Sequence, residues 1–247
     1  MTIQRAQHSA GELAWRFGAT TLPINSQLLV NADECVVVQS AGAVLGVITS
    51  GSHWLHPQPF PFLESSVVGP NVHAEVWFVK TATVPGFKFG GQIGVIVEPV
   101  SRIGCNLRVS GDFSMVANNP IAIVVTLLST GAADATPLVQ WAASLLLHET
   151  KDIVSMVTEV EQLSFLEPEM VRRLSELLPG RLDSLAQAGL QLGEVGALSL
   201  SISDEDQSAL TSAAQKETKR SQIVCAQCGA QHDGGRFCVQ CGAPLAT

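Results

Sequence analysis

The sequence predicts an α+β protein in which a mostly antiparallel sheet with packed helices precedes a small cysteine-rich module. Three observations lead to this prediction. Apolar and polar residues alternate over residues 103–109, and a period of two is typical of a strand with one buried face. Between about residues 119 and 190 the apolar period lengthens to that of a helix. Residues 223–247 carry two Cys-x-x-Cys pairs, a spacing typical of metal-binding turns.

The composition indicates a large aliphatic core. Of the 247 residues, 46% are hydrophobic and 15% are charged, and tyrosine is absent. The formal charge of -8 argues against a large nucleic-acid footprint and against electrostatic adhesion to anionic lipid, since both need clustered Lys and Arg. Residues 1–18 lack an apolar signal core, and no run approaches the ~20 apolar residues that span a bilayer. We therefore expect a cytoplasmic protein with reduced thiols.

The first half is predicted to be β-structure. Apolar, β-branched runs separated by turn residues predict strands at residues 27–30, 35–38, 43–49 and 72–81. Residues 50–54 are expected to form a turn, and the glycines of residues 85–94 a flexible loop. Because most connections are short, we expect antiparallel pairing.

The second half is predicted to be helical up to one last strand. Pro137 suits a first helical position, and Leu138, Trp141, Ala142 and Leu145 then share one face, which residues 153–160 extend. Two shorter helices are expected at about residues 168–178 and 181–188, followed by a strand in which leucine and isoleucine alternate with serine over residues 198–203. Residues 204–220 are polar and predict a short helix or a tether.

The cysteine pairs predict a structural zinc site. Its ligands would be Cys225, Cys228, Cys238 and Cys241, because four thiolates on two tight turns fill a tetrahedral shell and leave no position for a substrate. Two redox dithiols are the alternative, but the segment is too short for a thioredoxin-like scaffold. His232 lies between the pairs and could replace a ligand, although a surface position is favoured. The sequence thus divides into a body (residues 1–203), a polar helical linker (204–222) and a zinc ribbon (223–247).

Other residues that could carry chemistry have plainer interpretations. Cys35 and Cys105 stand alone in strand-like segments and are expected to be buried, unbridged core cysteines. His53 and His56 could bind a metal as a pair, but a loop packed by Trp54 is favoured.

Catalytic motifs are not found. His148-Glu149 lacks the second histidine of a metalloprotease motif, residues 85–94 match no phosphate-binding fingerprint, and no nucleophile elbow occurs. Glu167 and Glu169 suit the start of a helix, where negative charge is stabilising. The sequence therefore predicts a protein that is not an enzyme.

Six segments occur in an order that resembles a known superfamily. They include Asn-Ser-Gln-Leu-Leu-Val at residues 25–30 running on to residue 38, His-Ala-Glu-Val-Trp-Phe-Val at 73–79 and Leu-Pro-Gly-Arg-Leu at 178–182, with further matches at 46–55, 107–113 and 193–203. This order resembles the SPFH (band 7) superfamily of stomatin, prohibitin and flotillin type. It is most similar to a soluble bacterial branch, often labelled virion-core-like, that carries a C-terminal zinc ribbon. The resemblance covers about residues 10–203.

The resemblance implies a curved, mostly antiparallel sheet with packed helices, and a scaffold that assembles into homo-oligomers and places envelope-stress or membrane-maintenance factors. The chain lacks the hydrophobic anchor and the long helical tail of many members, so membrane contact would be peripheral, at the inner face, or supplied by a partner. A non-enzymatic scaffold or adaptor that binds protein partners is therefore expected. The alternative is a zinc-ribbon protein associated with nucleic acid, which the few basic residues near the ribbon disfavour.

Overall fold

The computed structural model describes residues 1–221, 223–232 and 236–244. The last predicted linker residue and residues 233–235 and 245–247 of the predicted ribbon lie outside these ranges. Within the described residues, the strands are β1 to β15 in chain order: Thr2–Ile3, Ala14–Arg16, Thr21–Pro23, Ser26–Val30, Glu34–Ser40, Ala43–Ile48, Gly51–Leu55, Val67–Val68, Asn71–His73, Glu75–Lys80, Val84–Val97, Gly104–Ala117, Leu190–Ile202, Ile223–Val224 and Gln231–His232.

Five α-helices accompany these strands in the described part of the chain. They are α1 to α5: Pro120–Thr130, Thr136–Val160, Pro168–Leu177, Asp183–Gln187 and Asp204–Ser221. Four of them lie between β12 and β13, as the helical period predicts. Short 3₁₀ helices occur at Gln7–Ser9, Pro61–Ser66 and Leu178–Arg181. The chain is therefore a mixed α+β protein.

The strands form several small, mostly antiparallel sheets. The orders are β2-β10-β5-β6, β1-β4-β7, β3-β9-β8, β11-β12-β13 and β14-β15, and only the β1–β4 pair is parallel within the described residues. The predicted single curved sheet is instead divided into five sheets, because no hydrogen-bonded ladder joins one of these groups of strands to another among the described residues.

The sheet β2-β10-β5-β6 separates two apolar cores. Residues Cys35 and Val37 of β5 face the larger core, which α1 to α4 and the β11-β12-β13 sheet complete. Their neighbours Val36 and Val38 face a smaller core, shared with β4, β7 and β9. A strand that is buried on both faces needs apolar residues at every position. This explains why β5 and β10 are almost continuously hydrophobic.

Two predicted irregular segments are strands, and both predictions were wrong. Residues 85–94 belong to β11, a strand of 14 residues, in which Gly90 and Gly91 lie where other atoms come close, while Gly86 and Gly94 have positive φ values. A Cβ on Gly90 would stand 2.9 Å from the carbonyl oxygen of Val109 in β12. Residues 51–54 belong to β7, which pairs with β4. The last body strand is also longer than predicted, since β13 begins at Leu190.

The long helix α2 departs from prediction at two side chains. Its buried face includes Leu138, Ala142, Ile153 and Val157, as the period of the sequence predicts. Trp141, predicted to face inward, is 38% exposed, and Val160 at the helix end is 76% exposed. Among the described residues, none of the helices combines the length and hydropathy needed to cross a bilayer.

Candidate metal centre

Two turns of the same geometry carry the four predicted ligands. In the first turn the amide of Cys225 donates to the carbonyl of Ala230 at 2.8 Å, and the amide of Gly229 donates back to the carbonyl of Cys225 at 2.9 Å. In the second turn the amide of Cys238 donates to Ala243, and that of Gly242 donates to Cys238, each at 2.8 Å. The local hydrogen bonds thus position the two cysteines of each pair in the same way.

A glycine closes each turn for a conformational reason. Gly229 and Gly242 have φ values of +73° and +74°, in the left-handed region that residues with a Cβ seldom adopt. The recurrence of Cys-x-x-Cys-Gly in the sequence is therefore a backbone requirement. Any other residue at these two positions would strain the turn that holds the sulfurs.

The structure brings all four sulfurs together. The four Sγ atoms lie within 4.8 Å of one another, with Cys225 and Cys241 at 3.6 Å and Cys228 and Cys238 at 3.5 Å. A tetrahedral ion with metal–sulfur bonds of about 2.3 Å places its sulfurs about 3.8 Å apart. A disulfide would need about 2.05 Å, so the thiols are unbridged. The cluster has the ligand number and the spacing of a four-thiolate metal site.

The electrostatics of the cluster also suit a cation. Amide hydrogen bonds from Gln227 and Cys228 lower the pKa of the Cys225 thiol to about 6. The Ala243 amide would lower the pKa of Cys241, but the neighbouring cysteine sulfurs outweigh it and raise that pKa to about 12. Charge on one sulfur therefore opposes charge on the next. A bound divalent cation would remove this conflict, since its field stabilises every thiolate at once.

The four ligands differ in exposure. Cys225 and Cys238, the first cysteine of each turn, are 2% exposed, whereas Cys228 and Cys241 are exposed. Apart from the cysteines, the apolar core of the described ribbon is limited to Ala243 with Ala230 against it. Such a small core cannot hold the segment by itself, so the sulfur cluster is its structural centre. The side chain of His232 lies outside the described residues.

The other candidate residues do not form a second metal cluster in the described part of the chain, where groups of three or more potential ligands are limited to the four cysteines. His53 Nε2 lies 2.9 Å from the carbonyl of Thr49, while His56 Nδ1 accepts from the amide of Gln58. The prediction that Trp54 packs this segment was wrong. Trp54 is 59% exposed, because alternation along β7 turns it away from the core that Leu55 enters.

The two body cysteines are core residues, as predicted. Cys35 is 6% exposed, Cys105 is fully buried, and both are unbridged. Burial raises the pKa of the Cys35 thiol to about 11, and the nearby Glu34 carboxylate adds to this shift. At neutral pH Cys35 is therefore protonated, and it lacks the thiolate character of a nucleophile.

The carboxylates at the start of α3 take part in surface ion pairs. Glu169 receives hydrogen bonds from Arg172, which also contacts Glu176. Arg173 bridges Glu176 to Glu161 at the end of α2. His148 lies 3.7 Å from Asp152 one turn along α2, and both are largely exposed. These contacts are those of a solvated helical surface.

One group of polar residues in the body was not predicted from the sequence. Arg5 and Glu34 form an ion pair whose side chains are 3% and 0% exposed, near the N-terminus of the chain. They lie 29 positions apart, and neither belongs to a recognisable motif. A buried charge pair of this kind carries no local sequence pattern, since only the fold brings the two segments together.

Comparison with known proteins gives no relative. No family model matches the chain, and no curated protein matches it. The resemblance to the SPFH superfamily therefore stays a prediction. The metal cluster is the part of that prediction for which the structure gives direct support.

Proposed function

We propose that the protein is a non-enzymatic scaffold or adaptor in which a zinc ribbon docks a protein partner and an SPFH-like body self-associates. The observation that carries this proposal is the exposure of apolar side chains around one metal ligand. Val239 is 92% exposed and Phe237 is 64% exposed, on either side of Cys238. Apolar side chains held in solvent on a turn that a metal keeps rigid lose little conformational freedom on binding. They suit a protein surface.

Zinc fits the ribbon as a structural ion. Four cysteines within 4.8 Å of one another match the donor set and geometry that zinc takes in closed structural sites. Such a site leaves no position for water or substrate, so it supplies rigidity and no Lewis-acid chemistry. In this proposal the metal-bound ribbon holds Phe237 and Val239 in a fixed arrangement.

The body offers an apolar surface that suits self-association. Ile121 and Val125 lie one turn apart on α1 and are 41% and 52% exposed, and Trp141 of α2 is 38% exposed. Trp141 lines a cavity of about 520 Å³ between α1, α2 and α4. Exposed apolar side chains on neighbouring helices suit an interaction site. Peripheral placement at the inner face of a membrane, in envelope maintenance, follows from the superfamily resemblance alone.

Partner capture tests the role of the ribbon. We expect Val239→Asp to abolish co-purification of a specific protein from the native cell, since a charge would have to be desolvated in the interface. Val68→Asp is the matched control, because Val68 is 62% exposed on the body. It should capture the partner as the unaltered protein does. Affinity purification with mass spectrometry makes the comparison, and metal analysis checks that both variants keep zinc.

Two outcomes would contradict the adaptor proposal. If the Val239→Asp variant still captures the partner, the ribbon tip (Phe237 and Val239) is not the docking site. Recovery of nucleic acid that a nuclease removes together with all captured proteins would favour the nucleic-acid alternative.

Self-association has a separate test. We expect the unaltered protein to form oligomers at micromolar concentration, and Val125→Asp to shift it toward monomer because the charge disrupts an apolar contact. Val100→Asp, at a body position that is 71% exposed, should leave the oligomer unchanged. Multi-angle light scattering gives the mass of each variant. An unaltered protein that is monomeric throughout this range would remove the self-association part of the proposal.

A further inference from the structure

One long strand of the body has an unpaired edge. β13 pairs along one side with β12, where Val109 lies opposite Leu200 and Leu107 opposite Ile202, and β12 is its one neighbour in the described residues. In an antiparallel ladder alternate backbone groups face away from the partner strand. Between Ser199 and Ile202, where the ladder is regular, those outward amides and carbonyls are therefore available for another strand.

This stretch lacks the devices that usually protect an edge. Lys, Arg and Pro are absent from residues 190–203. The irregularities of the ladder lie between Ser110 and Asp112 and between Phe113 and Met115, and the first of them includes Leu198, so the regular stretch is Ser199 to Ile202. Natural edges that must stay unpaired usually carry a lysine, a proline or a bulge. Lysine, proline and bulges are therefore absent from the stretch Ser199 to Ile202, where the ladder is regular.

A groove lies against the same strand. Its volume is about 250 Å³, and every residue from Leu198 to Ile202 lines it, as does Leu107 of β12. Because Leu107 belongs to the neighbouring strand, the groove lies between the face of the sheet that carries Leu107 and residues 165–171. The opposite wall includes Leu166, which is 56% exposed, and Val171 at the start of α3. Side chains of an added strand would have an apolar wall to contact.

Acidic residues flank the groove. Glu167 lines it, and Asp204 and Glu205 directly follow the strand, all with exposed side chains. The ion pairs described for this protein include none of these three residues. Arg108 lies opposite Ser201, but on the face of β12 away from buried Leu107 and Val109. The charge around the groove therefore favours a basic occupant.

We propose that this edge and groove bind an extended segment of a partner protein, in which apolar residues alternate and basic residues flank them. The segment would add as a further strand to the β11-β12-β13 sheet, with main-chain hydrogen bonds for affinity and the groove and its flanking acidic residues for selectivity. A second copy of the chain would bring a strand with the same acidic flanks, and like charges would oppose each other. The site lies in the body and is separate from the ribbon tip.

A synthetic peptide tests this site in the full-length protein. The probe is a fluorescein-labelled peptide of alternating valine and threonine with two lysines at each end, followed by fluorescence anisotropy. We expect saturable binding that weakens strongly when a central proline removes a backbone donor, or when glutamates replace the lysines. Leu166→Asp should weaken binding about tenfold, the loss expected for one buried leucine contact. Val160→Asp is the control, since Val160 is 76% exposed and does not line the groove.

A charge reversal gives an independent measurement. Glu167→Lys should weaken binding of the lysine-flanked peptide and strengthen that of the glutamate-flanked one. Glu64→Lys makes the same change at an exposed position in the Pro61–Ser66 3₁₀ helix and should alter neither. Circular dichroism checks that the variants remain folded.

Three results would overturn the proposal. They are absence of saturable binding, equal binding of the proline peptide, and a dimer of the peptide-free protein that Leu166→Asp dissociates, which would assign the edge to a second copy. Val239→Asp should bind the peptide as the unaltered protein does. Loss of peptide binding by Leu166→Asp therefore tests the groove, and loss of partner capture by Val239→Asp tests the ribbon, independently of each other.

Discussion

Substitution of Cys238 by alanine is expected to abolish zinc binding and to unfold the ribbon while the body stays folded. The ribbon buries little apart from Cys225, Cys238 and Ala243 among its described residues. Metal coordination must then supply most of its folding free energy, on the order of 10 kcal/mol for sites of this kind. Three thiolates hold the ion far less tightly than four, because the closed shell and the link between the turns are both lost.

Metal analysis of the purified protein measures the first part of this prediction. We expect one zinc per chain in the unaltered protein and none in Cys238→Ala after dialysis. Acidification should release the metal from the unaltered protein, since the ligands must be deprotonated to bind and protons compete as the pH falls. NMR should show the amide signals of the ribbon losing their dispersion. All four tryptophans lie in residues 1–203, so tryptophan fluorescence reports the body alone and should not change.

The matched control removes a cysteine that is not a ligand. Cys35→Ala deletes a buried thiol of the body, and it should keep one zinc per chain while lowering the stability of the body slightly. Retention of a full equivalent of zinc by Cys238→Ala would contradict the four-cysteine assignment and direct attention to His232 as a ligand. Absence of metal from the unaltered protein, with four titratable thiols, would contradict the site altogether.

The metal cluster could be predicted from sequence because its information is local. Each cysteine pair lies within one turn, and Gly229 and Gly242 take the positive φ that the turn requires. The same reasoning predicted β5 and β10, because both faces of these strands are buried and almost every residue is apolar. Elements whose own residues carry the signal are therefore predictable without knowledge of their neighbours.

The misassigned segments depend on contacts that the local sequence does not contain. The glycines of β11 suggested flexibility, yet a Cβ on Gly91 would stand 3.0 Å from Leu147 of α2, so glycine there permits close packing. Trp54 suggested a packed loop, but it occupies an outward position of β7. In both cases the strand assignment depends on pairing with residues that are distant in the sequence. Division of the strands into separate sheets is likewise a property of long-range pairing.

The buried pair Arg5–Glu34 is the extreme case of such long-range information, and breaking it should have the largest effect on the stability of the body. Arg5 Nε donates to Glu34 at 2.7 Å, and its other nitrogens donate to the carbonyl oxygens of Ser9, Glu12 and Phe78 at 3.0, 3.1 and 2.8 Å. One side chain thus ties the N-terminal segment to β5 and β10. Four of its five N–H groups thus donate to these protein acceptors.

We expect Arg5→Met to lower the free energy of unfolding of the body by about 3–5 kcal/mol, because it leaves the carboxylate of Glu34 buried without its cation. Guanidinium-induced unfolding followed by tryptophan fluorescence measures the change. Arg172→Met is the matched control. Arg172 also contacts two carboxylates, but its side chain is 58% exposed, and such pairs contribute about 1 kcal/mol or less.

The double variant Arg5→Met, Glu34→Met separates two contributions to the lost stability, which are the unpaired carboxylate of Glu34 and the lost hydrogen bonds to carbonyl oxygens. Removing both charges eliminates the unpaired carboxylate, so the double variant should be more stable than Arg5→Met alone. It should not regain full stability, because the carbonyl oxygens of Glu12 and Phe78 would still lack the donors that Arg5 supplied. Equal unfolding midpoints for Arg5→Met and the unaltered protein would show that the N-terminal segment is not held to the body by this side chain.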